Sequence, residues 1–290
     1  MTPQTVEAPH CRSLQWHGTE VWEIHAQGAR VRISAFGGQL LSWQPLAGDE
    51  VLWLSRQLAD LPVPLRGGVP LCWPWFGRQG QSPSAPSHGL ARTTRWQLAA
   101  QQVLADGRLE VVLRPAQRLH PQLEVFQTVV IGRVLEQTLH TLNEGSEAVS
   151  LTQALHSYFR VDVAADAVVH GLEGTAYADA LKPSVPGVQQ GPWRFDASRD
   201  GGRCDRIHIT AGQALLLDRG PARAALKIQP GGSNSLVLWT PGPALGQSMP
   251  DVGAGWADYL CLEVANAGAD VIELSPGQGH ALKQVLSLQS

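Results

Sequence analysis

Two short stretches each hold one ionisable side chain where a strand-like alternation would set it apart from an apolar stripe. In Leu151–Val161 the even positions His156, Tyr158 and Arg160 fall opposite Leu155, Phe159 and Val161. In Tyr259–Asn266, Glu263 falls opposite Leu260, Leu262 and Val264, with only Cys261 and Ala265 beside it. Side chains two residues apart on a strand share a face, so the spacing predicts one imidazole and one carboxylate directed away from a core. A carboxylate in an otherwise apolar strand is costly without a partner or a task. Imidazole and carboxylate are also the two groups best suited to proton transfer near neutral pH. The competing expectation is that both sit on strand faces that are simply wet.

A third stretch, Arg66–Trp96, reads RGGVPLCWPWFGRQGQSPSAPSHGLARTTRW. Pro70 and Pro74 exclude a helix and a central strand. Trp73, Trp75 and Phe76 are expected to supply buried area rather than ligand contact. Arg66 and Arg92 flank the run, which holds no acidic residue. A planar guanidinium can grip phosphate or carboxylate through two hydrogen bonds. Asp205, within CDRIHI, reads by itself as a turn residue or as the partner of Arg206. HExxH, GxSxG, a Walker loop and zinc spacing are all missing.

Many short extended runs are needed to position these groups. Val21–His25 with Ala29–Ser34 reads as a hairpin, and the Gly37–Gly38 pair as a sharp bend. Leu109–Leu113, Leu123–Ile131 and Val134–Leu142 read as a meander, with Leu123, Val125, Val129 and Ile131 on one face. Further strands are expected at Val51–Leu54, Ser150–Val163, Ala214–Leu217, Ala224–Gln229, Ser235–Trp239, Tyr259–Ala265 and Val271–Leu274. Val163–Leu172 is the one place for a helical turn, and Pro183–Pro192 and Pro241–Gly255 read as loops. The 290 residues include 30 Gly and 20 Pro, and 16% are charged. The expectation is an all-β fold, one large antiparallel sandwich spanning residues 1–290 as a single domain.

A formal net charge of −3 and the lack of a basic stripe speak against nucleic acid. No apolar run is long enough to span a membrane, and residues 1–16 lack the features of a signal peptide. Four scattered cysteines are read as free thiols in a reducing cytoplasm.

Taken together, RGGVPLCWPWFG (66–77), SHGLAR (87–92), LHSYFRV (155–161), CDRIHI (204–209) and LCLEVAN (260–266) resemble, in that order, the motifs of D-hexose-6-phosphate mutarotases of the aldose 1-epimerase superfamily. The resemblance implies a galactose-mutarotase-like β-sandwich that binds a hexose 6-phosphate as a monomer. It implies His156 as general acid, Glu263 as general base, Arg66 and Arg92 on the phosphate, Asp205 on a sugar hydroxyl and His88 lining the site. Anomer exchange by this route calls for no metal or redox cofactor. Ser87 replaces a frequent Gln, His208 a frequent Tyr, and Trp239–Gly242 lacks an Asn and a Trp of the usual pattern. Three other readings compete: a non-catalytic carbohydrate-binding protein, an epimerase of unphosphorylated sugars, and a glycosidase, which usually needs two flanking carboxyl groups.

Overall fold

The computed structural model describes residues 8–26, 28–45 and 48–289. The first seven residues, on which the signal-peptide reading partly bears, lie outside them.

Antiparallel strands dominate. One sheet of nine strands contains the expected meander, extended at one edge by Trp96–Val103 and continued on the other side by Gly279–Leu288, Leu226–Gly231 and Leu215–Asp218. A sheet of eight holds the chemistry-bearing strands. Its order runs Ala176–Asp179, Cys204–Ile209, Ser235–Thr240, Tyr259–Asn266, Gln153–Leu155 and Leu71–Cys72, with Gly187–Val188 at the outer edge and Tyr158–Arg160 also paired to Tyr259–Asn266. A four-stranded meander, His10–Trp16 to Leu40–Pro45, stands beside them.

The apolar stripes meet between the sheets. Leu123, Val125, Val129 and Ile131 join Leu155, Phe159, Leu260, Leu262 and Val264 in one buried core. Gln127 interrupts the first stripe, yet it is fully buried. Its amide donates to the carbonyl of Gly38 and its own Oε1 accepts from Gln137 at 3.1 Å. Gln284 donates to Gln137 at 2.9 Å and accepts from the Ser157 hydroxyl at 2.9 Å. This row of buried amides crosses three adjacent strands and ends between His156 and Tyr158. Buried polar groups are tolerated when each has a partner, and here each supplies the next.

Several sequence expectations need correcting. Val51–Leu54 forms no strand; Leu52 and Leu54 make isolated bridges to Phe159 and Gly67. Ser150–Val163 is three short strands rather than one, because the chain passes from pairing with Ile272–Leu274 to pairing with Tyr259–Asn266. Val163–Leu172 holds no helical turn, and Val168–His170 is a strand. Pro241–Gly255 contains the helix Gly242–Ser248 and the start of a 3-10 turn, Gly253–Asp258. Proline and glycine suggest a loop there, but Pro243 sits in the first turn of the helix, where a missing N–H costs nothing.

One charge network anchors the small meander. Glu23, 1% exposed, accepts from Arg32 Nε at 2.7 Å and from Arg12 Nε at 2.9 Å. Burial pushes this carboxyl up, but the two guanidinium groups outweigh it and bring it down to about 2. A depressed carboxyl pKa stabilises the fold above the unfolded value, and that stability fades as pH falls through the folded one. Screening of the exposed guanidinium heads leaves on the order of 1–3 kcal/mol. Glu23→Gln is therefore expected to lower Tm by a few degrees at pH 7. The gap to wild type should shrink as pH approaches about 2. Thermal melts across that range check it, and a gap independent of pH would contradict the assignment.

Candidate functional site

The register of the central strands settles how His156 and Glu263 face each other. Leu155 pairs with Val264 and Tyr158 with Cys261. Both ladders keep the same register across the break, so His156 lies directly opposite Glu263, where cross-strand side chains approach closely. His156 Nε2 and Glu263 Oε1 are 3.4 Å apart, too far for a good hydrogen bond. His156 Nδ1 and Glu263 Oε2 are buried with no partner among the described residues.

The face that holds them is not wet. Every residue of Tyr259–Asn266 is buried. Tyr158, Tyr259 and Cys261 pack with Trp53 and Val252 on one side of the pair, and Cys72 with Ala154 and Ala265 on the other. The imidazole of His156 lies parallel to Tyr158, centroids 4.9 Å apart, with the Trp239 ring edge-on at 6.5 Å. Dry surroundings disfavour charge on both groups. Burial pushes Glu263 well above the carboxylate range, and nearby Asp205 adds to the effect while Arg92 opposes it. Burial also holds His156 well down, aided by His88, Arg92 and Arg66.

The ring of His88 stands edge-on to that of His156, centroids 5.6 Å apart. His88 has φ 63°, and Gly89 after it φ 77°. A Cβ at Gly89 would lie 2.0 Å from the Trp73 carbonyl oxygen, so only glycine lets the His-Gly pair close against Trp73. His88 Nδ1 accepts from the Gly77 amide at 3.2 Å, and the Cys72 sulfur lies 3.3 Å from it. An accepting Nδ1 assigns the proton to Nε2. Burial and the nearby arginines Arg92, Arg66 and Arg78 lower its pKa to about 3, which keeps it neutral.

The two arginines are tied differently. Arg92, on the 3-10 turn Ala91–Thr93, donates from Nη2 to the Ser87 carbonyl at 2.7 Å; its Nε is buried with no acceptor among the described residues. Ser87 thus enters through its backbone. Arg66 is not without a counter-charge, as its own stretch would suggest: Nε donates to Asp251 Oδ2 at 2.9 Å and Nη1 to the Tyr158 hydroxyl at 3.0 Å. Asp205 lies half-buried opposite Trp239, which in turn pairs with Cys261. Burial and Asp179 raise its pKa. Arg206, on the other face of that strand, pairs with Asp179 at 3.1 Å rather than with Asp205. His208 shares that other face and bonds Thr175 at 2.9 Å, so its departure from the family pattern lies away from the pair. Trp73 is fully buried and donates to Thr141 at 3.0 Å, a packing role.

Sequence reading left out Tyr158 as a spacer between His156 and Arg66, Trp239 as a wall, and Asp251. The first could have been found from its parity with His156. A cavity of about 310 Å³ opens beside Tyr177, Trp193, Arg199 and Arg206, on the face of Cys204–Ile209 away from Asp205; none of the six candidate residues lines it.

Stacked antiparallel sheets in this arrangement form a galactose-mutarotase-like fold. A crystal structure described as a galactose mutarotase-like protein from Clostridium acetobutylicum superposes over 98% of this chain and 99% of its own, with a TM-score of 0.72 at 13% identity, a likeness of fold alone. Residues 20–287 match the family Aldose 1-epimerase, and the chain belongs to that family. A Salmonella typhimurium protein named "Putative glucose-6-phosphate 1-epimerase" is 33% identical over 241 residues, 80% of this chain and 78% of its own. An Escherichia coli K12 protein of the same name is 31% identical, with the same coverage. The crystal structure of a Salmonella typhimurium protein described as "a putative mutarotase" matches with a TM-score of 0.86 at 27% identity, covering 99% of this chain and 95% of that one. Among the described residues no helix is long and apolar enough to cross a membrane.

A carboxyl held up by burial should still be protonated above the ordinary carboxylate range. Infrared difference spectra of wild type minus Glu263→Gln are expected to show a protonated carboxyl band at about pH 5.5, where a free Glu is ionised. Its absence there would place Glu263 in a wetter setting than its surroundings indicate.

Proposed function

We propose that this chain interconverts the α and β anomers of hexose 6-phosphates, with glucose 6-phosphate as the substrate the relatives' names favour. The observation that carries the reading is the facing of His156 and Glu263 across adjacent strands, with Arg66 and Arg92 close enough to act on His156.

Exchange of anomers needs the ring opened and closed again. Glu263 takes the proton of the C1 hydroxyl while His156 gives one to the ring oxygen, and the C1–O5 bond breaks. The aldehyde turns about C1–C2. Reclosure returns the first proton from Glu263 to the new C1 oxygen, and His156 takes back the other from O5. A base must be ionised and yet have real proton affinity, and a carboxyl raised by burial meets the second need.

The acid poses the opposite problem, since burial and the nearby arginines disfavour charge on His156. A phosphate dianion held by Arg66 and Arg92 offsets the two positive charges that oppose protonation. The phosphorylated substrate would thus bring its own support for the charged acid, which glucose cannot. His88, neutral with its proton on Nε2, is a donor for a sugar oxygen, and Asp205 an acceptor for a sugar hydroxyl. Trp239, half-buried and edge-on to His156, offers an aromatic surface at the edge of the same space.

Glu263→Gln and His156→Ala are each expected to slow anomerisation of α-glucose 6-phosphate by about two orders of magnitude or more. Polarimetry or coupled anomer-specific oxidation measures it, and near-normal turnover by a folded Glu263→Gln protein would remove the base from the mechanism. Arg92→Met keeps the apolar stem and deletes the fork. Its loss in kcat/KM should be roughly ten- to hundredfold for glucose 6-phosphate and distinctly smaller for glucose. Equal losses for both sugars would favour an epimerase of unphosphorylated aldoses, with Arg92 only bracing its loop against Ser87.

A further inference from the structure

We propose that Asp251 is a positioning residue that sets the plane of the Arg66 guanidinium for phosphate, an inference that rests on the phosphate role of Arg66 given above. Asp251 follows the helix Gly242–Ser248 and is 185 residues from Arg66 along the chain. Its side chain is 15% exposed and that of Arg66 28%, so the pair stands at the wall of the site, open to water on one side.

Two ties hold Arg66 at two different nitrogens. Nε donates to Asp251 Oδ2 at 2.9 Å, and Nη1 to the Tyr158 hydroxyl at 3.0 Å. One tie would leave the long side chain free to swing about it. Two ties fix both the direction and the roll of a planar group, and they leave Nη2 and the second Nη1 proton unspent. Tyr158 lies parallel to the ring of His156, 4.9 Å away with an interplanar angle of 7°. The chain Asp251–Arg66–Tyr158–His156 therefore relates the phosphate-binding fork to the acid by fixed contacts. A grip ordered before binding loses less freedom when the ligand arrives.

Asp251 has a second effect of opposite sign. Its negative charge partly cancels that of Arg66 and repels a dianion. If charge alone mattered, deleting it would tighten phosphate binding. Water reaches both side chains and screens this repulsion, whereas an arginine held by Tyr158 alone regains the freedom to swing about that one bond. The positioning effect is the larger on these grounds, and the direction of the change in KM separates the two.

The experiment compares Asp251→Asn, Asp251→Glu and Arg66→Met with wild type, measuring KM and kcat for glucose 6-phosphate and for glucose together with Tm. Arg66→Met is expected to lose more efficiency with glucose 6-phosphate than with glucose. Asp251→Asn should raise KM for glucose 6-phosphate about tenfold, with kcat within about threefold of wild type and a smaller change for glucose. Asp251→Glu, which restores the charge from a longer stem, should fall between the two. If Arg66→Met is selective for the phosphorylated sugar but Asp251→Asn leaves KM unchanged or lowers it, Asp251 does not position Arg66 and the inference is overturned while the phosphate reading stands. If Asp251→Asn raises KM equally for both sugars and lowers Tm, its role is structural and the inference fails likewise. If Arg66→Met shows no selectivity, the phosphate role of Arg66 itself fails and takes the inference with it. Should Asp251→Asn not fold, Asp251→Glu decides alone, and a KM equal to wild type would overturn the proposal.

Discussion

The desolvation of one carboxylate governs the site. Glu263 sits in a strand whose eight residues are all buried, with one oxygen lacking any partner among the described residues and the other 3.4 Å from an imidazole. Leaving a charged group so poorly satisfied is expensive, and proteins relieve it by raising the pKa rather than by ionising at full cost. Most other features follow from that constraint. The aromatic cluster of Trp53, Tyr158, Tyr259 and Trp239 keeps water from one flank. His88 is neutral, so it adds a donor without another charge. The arginines stand far enough out to reach solvent or their own counter-groups.

The same constraint explains why charge is spread along a line rather than placed on the pair. Asp205 pushes Glu263 up and Arg92 pulls it down, while Arg92 and Arg66 push His156 down. Both shifts disfavour charge on the pair. On the proposed reading, a dianionic ligand at the arginine end would change that balance more than a neutral sugar could, linking substrate choice to the protonation of His156.

What was legible in the chain was parity. A period of two placed His156 and Glu263 away from their apolar neighbours, and the sheet registers agree with that placement. Parity cannot report what covers a face, so a site that looked wet is dry. Nor can it report distant partners: the stretch around Arg66 holds no counter-charge because Asp251 lies far along the chain, within Pro241–Gly255, which reads as loop. The strand Gly279–Leu288 went unseen because Lys283, Gln284 and Ser287 dilute its apolar pattern. Gln284 is nonetheless inward-facing, and its polarity is the core's rather than the surface's. The break between Leu155 and Tyr158 also left no mark in composition, since alternation continues through it.

The buried glutamines have a bearing on how this core can vary. Ser157 donates to Gln284, Gln284 to Gln137, Gln137 to Gln127, and Gln127 to the carbonyl of Gly38, so all four bonds run in one sense. Turning any one amide around would set oxygen against oxygen on one side and N–H against N–H on the other. The row is therefore a sentence with a fixed word order. Changing one member to leucine strands both neighbours, while changing the set together need not. Single-step drift is blocked at these positions even though none of them is among the six candidate site residues. Relatives are expected to keep the row whole or to have lost it whole, and its far end at Ser157 carries that all-or-none choice to the backbone beside His156.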